Sequence, residues 1–222
     1  MPLSRTKPLL LSVAAVAALV AAQAAFAERP VVRYNSQDQA AAKAVVLGAA
    51  DLGAGWTGGA KKPTVGDPST CSNWNPRQAD LTVTGAAESQ FTYAGGGLHL
   101  LSTANVLATP RMVRLDWQRT VVHPKVATCL RETLVEQANA QTRFVSLKRT
   151  PFSGVGPMAT RYRAVMNYVS GTTKVPVLID VVLVAKGRTE LMLMLTAPYQ
   201  DRAAADAAER RLVKLQLARV RS

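Results

Sequence analysis

The stretch from Ala159 to Ala197 constrains the fold more than any other part of the chain. Thr160, Tyr162, Ala164, Met166 and Tyr168 alternate with Arg161, Arg163, Val165 and Asn167, the period-two pattern of a strand whose faces meet different surroundings. Ser170 to Lys174 reads as a polar turn. Val177 to Val184 is then apolar on both faces apart from Asp180, which predicts a strand in the interior of a sheet. Lys186-Gly187-Arg188 returns the chain into Glu190 to Ala197, with Met192 and Met194. Strands this long and apolar must be covered, and helices are the usual cover for an antiparallel sheet.

The other segments supply both. Ser36 and Gln39 have capping-box spacing and predict a helix over Gln37 to Leu47, with Ala41, Ala44, Val45 and Ala49 near its inner face. Thr109-Pro110 is a cap followed by proline at the first helical position, predicting a helix to about Thr120. His123-Pro124 restarts it, with Val126, Leu130, Leu134 and Ala138 as an apolar stripe. An Ala- and Arg-rich helix from about Asp201 to Val220 would turn Ala204, Ala208, Leu212, Leu215 and Ala218 or Arg219 inward. Further strands are expected at Glu88 to Tyr93, Leu98 to Leu107 and Arg143 to Arg149, the first two joined by Gly95-Gly96-Gly97. The expected fold class is α+β: a twisted, mainly antiparallel sheet packed against several helices in a single domain over residues 36–222.

The N-terminus reads as an export signal. Arg5 and Lys7 precede an uncharged run from Leu9 to Ala22, and Ala25-Phe26-Ala27 offers small residues for cleavage after Ala27. The apolar run is shorter than the ~20 residues a spanning helix needs, and no later stretch reads as membrane-spanning. Glu28 to Asn35 would follow as a tether or a first edge strand. Export bears on Cys71 and Cys129, the two cysteines of the chain. In an oxidising compartment such a pair is most simply a disulfide, tying the irregular loop of Lys61 to Asp80, which also holds Trp74, to the helix that carries Cys129. Two cysteines without neighbouring histidines do not make a closed zinc site.

The net charge is +13, and removing the leader with its Arg5 and Lys7 leaves +11. Such a surface attracts anionic polymers and lipid headgroups, here through Arg111, Arg114, Arg119 and the arginines of the last helix. The basic residues are scattered and the leader predicts export, so no nucleic acid is expected as a partner.

Several chemistries lack their parts. Gly53, Gly55 and Gly58 fit the spacing of a dinucleotide fingerprint, but a helix precedes them and Lys61-Lys62-Pro63 follows, where the motif needs a strand before and a helix after. Trp56 is expected to dock this glycine loop onto the core. No Gly-x-Ser-x-Gly elbow occurs. Asp180, His99, His123 and Ser153 share no spacing that would make a hydrolase. No catalytic residue, metal site or cofactor is expected.

The order of parts resembles the PknH-like extracellular sensor domains of actinobacteria and their stand-alone secreted relatives. The matching features are the helix leading into Ala50-Asp51-Leu52-Gly53-Ala54-Gly55-Trp56, then Cys71, the strand at Leu98 to Val106, and the helix with Cys129-Leu130. Gly154-Val155-Gly156 before a long hairpin, the tight turn at Gly187-Arg188 and a final helix complete the order. The chain departs from the family in having no kinase segment and a single cysteine pair. The resemblance implies a cleft-bearing binding module of the cell envelope rather than an enzyme. The sheet face with Tyr162, Met166, Tyr168, Met192 and Met194 is the expected place for a small apolar molecule or envelope lipid. The alternative is a basic structural or adhesive protein that binds anionic envelope polymer.

Overall fold

The computed structural model describes residues 29–66, 71, 74–139, 141–170 and 172–220; the expected leader lies outside them. The elements in order are β1 (Val31–Val32), α1 (Ser36–Val45), α2 (Ala49–Leu52), β2 (Trp56–Lys61), β3 (Thr82–Tyr93), β4 (His99–Leu107), α3 (Pro110–Asp116), a π-helical turn (Trp117–Val121), α4 (Lys125–Glu136), β5 (Thr142–Pro151), β6 (Ala159–Ser170), β7 (Thr173–Lys186), β8 (Thr189–Pro198) and α5 (Arg202–Arg219). The fold is α+β, as the alternation and capping signals predict.

One sheet runs β1-β3-β4-β8-β7-β6-β5, with β2 also on β3. Its described pairings are antiparallel except β1 with β3. The opening stretch supplies β6, β7 and β8, and β7 lies between the other two. Strand parity sorts the faces. Phe91, Leu100, Ala104, Leu178, Val182, Leu191, Leu193 and Leu195 are buried in the main core with Ala42, Val45, Ala205, Leu212 and Val213 of α1 and α5. The opposite face meets α3, the π-turn and α4; a smaller cluster of Leu81, Leu107, Val113 and Ala185 forms at one end of it.

Local details differ from expectation where polar groups do the docking. Asn35, not Ser36, caps α1: its side chain accepts from the Asp38 amide at 2.8 Å. Gln39 reaches instead to the Ala86 amide at 3.1 Å. The inner face of α1 is Asp38, Ala42 and Val45, because Asp38 takes both guanidinium nitrogens of Arg188, the closer at 2.6 Å. Burial raises the Asp38 carboxyl, but hydrogen bonds from Arg188, Thr84 and Asn35 outweigh it and hold the group at about 2. Gly85 is required under this helix, since a Cβ there would lie 2.2 Å from the Asp38 carbonyl oxygen.

The inner face of α5 is rotated one position from the expected stripe, to Ala205, Glu209, Leu212, Val213 and Gln216. Gln216 donates to Ser102 Oγ at 2.9 Å, and the same hydroxyl accepts from the Leu47 amide at 3.2 Å. Glu209 joins an ion cluster described below. The expected glycine loop is partly strand: β2 pairs Trp56 to Lys61 with Tyr93 to Glu88. Gly58 permits this, with φ of 137° and a virtual Cβ only 2.1 Å from the Gln90 carbonyl oxygen. Trp56 meets Tyr93 edge to face with ring centroids 5.6 Å apart.

Candidate functional site

A cavity of about 470 Å³ lies between the sheet and the α3–α4 layer. Its floor follows the strand register. Asn105 and Glu190 are cross-strand partners; Thr103, Met192 and Leu183 form the next row, and Leu101, Met194, Val181 and Tyr162 the row after that. All of these except Met194 line the cavity. Asp116, Trp117, Thr120 and Val121 cover it from above, with Val126 and Cys129 of α4.

The roof is shaped by the π-turn. Widening the helix to an i→i+5 bond, Val122 N–H to the Trp117 carbonyl at 2.9 Å, turns Trp117, Thr120 and Val121 toward the sheet. Such insertions recur at functional sites. Tyr162 is buried, and its hydroxyl donates to the Val121 carbonyl at 2.7 Å, so its ring walls the cavity while its polar end is spent on the roof. Burial raises the phenol above its ordinary value.

The side wall is the cysteine loop. Cys71 and Cys129 form the disulfide, Cα to Cα 5.4 Å. Trp74 stacks on His123 at 5.9 Å, and Arg119 of the π-turn donates to Asp80 Oδ1 at 2.6 Å and to the Arg77 carbonyl at 2.8 Å. The disulfide, the stack and the Arg119 hydrogen bonds thus fasten loop and roof together around the cavity.

Two carboxyl groups meet at one end. Asp116 closes α3, Glu190 opens β8, and their side chains hydrogen-bond to each other. Desolvation raises Asp116. Glu190 is raised well above the ordinary carboxylate range, first by burial and then by the Asp116 charge. Gln78 donates to Asp116 Oδ1 at 3.2 Å. Beyond the pair lies a second cavity of about 60 Å³ that shares Gln78, Asn105, Asp116 and Glu190 with the first.

Of the five residues expected to face a ligand, the structure brings Tyr162 and Met192 to the cavity. Met194 shares a cross-strand row with Val181 and Leu101 but does not line it. Met166 is buried four residues farther along β6 than Tyr162, and Tyr168 is exposed near the hairpin end; at ~3.3 Å per residue they lie about 13 and 20 Å away. Asp116, Glu190 and Trp117 were not anticipated.

The other face of the central strands carries a different cluster. Asp180, wholly buried, receives Arg163 Nε at 2.8 Å and Nη2 at 2.5 Å. Arg163 also reaches Asp206 at 2.5 Å, and Arg161 bonds Asp206 and, at 3.2 Å, Glu209. Burial and the adjacent Asp180 push Glu209 up to about 8. Two guanidiniums, two carboxylates and one neutral carboxyl make this cluster electrically neutral. Three carboxyl oxygens lie within 4.8 Å of one another, but the arginines already supply the positive charge a metal ion would bring. This is an ion-pair bolt between α5 and the sheet. The remaining candidates are engaged separately: His99 bonds Thr92, His123 stacks on Trp74, and the Ser153 carbonyl accepts from Arg210.

No family model matches the chain, and no curated protein does. No described helix is long and apolar enough to cross a membrane.

Proposed function

We propose that this chain is a secreted or envelope-associated, non-catalytic binding module that takes an apolar or envelope-derived molecule into the cavity between the sheet and the α3–α4 layer. The observation that carries this reading is the cavity itself. At about 470 Å³ it falls in the range of small-molecule sites, ~300–1,000 Å³, and its walls include Leu101, Leu183, Met192, Trp117 and Val126. A well-packed interior leaves few voids larger than a water molecule. The leader-like N-terminus and the resemblance to PknH-like sensor domains agree with a module that meets its ligand outside the cell.

The adhesive reading has less support. Arg210 and Arg211 of α5 donate to the Ser153 and Asp51 carbonyls, Arg219 pairs with the Asp51 carboxylate at 2.5 Å, and Arg119 is held by Asp80. Much of the basic charge that would hold a polymer is therefore engaged within the fold.

Titration with the neutral dye Nile red tests the cavity. The wild type is expected to give saturable fluorescence enhancement, and Met192→Trp, which fills space between floor and roof, to weaken binding at least tenfold without loss of thermal stability. Equal affinity in both proteins would remove the cavity as the site.

A further inference from the structure

We propose that the molecule bound in this cavity carries an ammonium group, received at the end where Asp116 and Glu190 meet. The inference rests on the cavity being a ligand site and adds the chemistry of the head group. Asp116 and Glu190 line this end of the cavity together. The polar atoms around it want donors. Glu190 Oε1 and Gln78 Oε1 are both buried without a hydrogen-bond partner. Gln78 is nine-tenths buried, and its amide nitrogen is committed to Asp116, which leaves the oxygen unserved.

Four aspartates elsewhere are treated differently. Asp38, Asp51, Asp80 and Asp180 are each met by a guanidinium at 2.5 to 2.6 Å. At Asp116, Arg119 contributes its nearby charge while it donates to Asp80 and the Arg77 carbonyl. In a chain with 27 lysines and arginines, this acid pair faces a cavity with no arginine among its described lining residues. The space fits an amphiphile. The larger cavity offers Leu101, Leu183, Met192 and Trp117 to an apolar body, and the smaller one of about 60 Å³ adjoins the acids at the head-group end, roomy enough for a group the size of one or two waters. A bare divalent ion would satisfy the acids but leave the apolar walls without a partner.

Three probes of equal chain length separate the possibilities: octylamine, octan-1-ol and octanoate, each titrated against the full chain at pH 7 by displacement of Nile red. Octylamine is expected to bind at least tenfold more tightly than octan-1-ol, with octanoate weakest. Glu190→Gln and Asp116→Asn are each expected to abolish the preference for the amine, bringing the ratio of octylamine to octan-1-ol affinity down to within twofold of one. Equal binding of all three probes would overturn the head-group inference and leave the cavity as an apolar site. Binding of none would remove both. An amine preference that survives in both variants would also overturn it, placing the charge recognition elsewhere, such as at Glu88, which lines the same cavity. So would calcium chloride alone competing with octylamine in wild type but not in Glu190→Gln, since that marks a metal site.

Discussion

Replacing Cys71 and Cys129 together by serine is expected to lower the stability of the chain by roughly 4 kcal/mol. The two half-cystines are 58 residues apart, and a loop of that length left open in the unfolded state regains most of the entropy the bond removes. The native side adds to the loss. Between Lys61 and Thr82 the described residues form no strand or helix, only an isolated bridge between Cys71 and Trp74, and the disulfide is the covalent tie among contacts that include the Trp74–His123 stack, the Arg119–Asp80 pair and the Gln78–Asp116 bond. Cys129 is buried on the sheet-facing side of α4. Urea unfolding of wild type and double variant measures the difference. A second consequence separates this account from simple chain entropy: the loop is a wall of the cavity, so the folded double variant should bind Nile red more weakly. Undiminished dye affinity alongside lowered stability would mean that the loop plays no part in the site.

The second large effect is expected at Asp180. Asp180→Ala leaves Arg163 without its bidentate partner, a carboxylate that is wholly buried, and breaking a buried pair in this way costs about 3–5 kcal/mol. Glu209→Gln offers the contrast. Glu209 is raised to about 8, hence neutral at pH 7, and a neutral amide in its place preserves the charge balance of the cluster. It should cost far less than Asp180→Ala. The sign follows from linkage: a carboxyl with a raised folded value contributes stability while protonated and loses it as pH rises through that value. The gap between Glu209→Gln and wild type should therefore move in favour of the variant as pH rises from the ordinary carboxylate range to about 8, and level off above it. Equal losses at pH 7 would mean that Glu209 is charged and that the cluster is balanced in another way.

Much of the scaffold could be read from strand parity. The alternation from Thr160 to Tyr168 and the apolar run from Val177 to Val184 depend on side chains facing two sides of a sheet, which is a local property. That is why β6, β7 and β8 lie where the pattern puts them and why Asp180 marks a buried strand. Helix faces were harder, because polar residues do the burying: Asp38 turns inward to meet Arg188, and Glu209 and Gln216 to meet Arg161 and Ser102. A hydrophobic stripe cannot register such contacts, so α5 is read one position out.

The site was half legible for the same reason. Tyr162 and Met192 follow from parity alone, and Glu190 shares that parity with Met192. Its partner Asp116 is 74 positions earlier in the chain, on a helix whose π-turn has no sequence signature, and nothing local links the two acids. Met166 and Tyr168 have the right face but the wrong height along β6, a distinction set by where α3 and α4 cover the sheet.

The central claim is that the space between this sheet face and the α3–α4 layer is a binding site. Methyl NMR of protein labelled at methionine, titrated with octylamine, tests it most directly. The account predicts a saturable shift of the Met192 methyl resonance, with Met166 unmoved and the Met192 shift lost in Glu190→Gln at the same amine concentration. A Met192 resonance that stays in place while octylamine binds would put the ligand elsewhere and contradict the account.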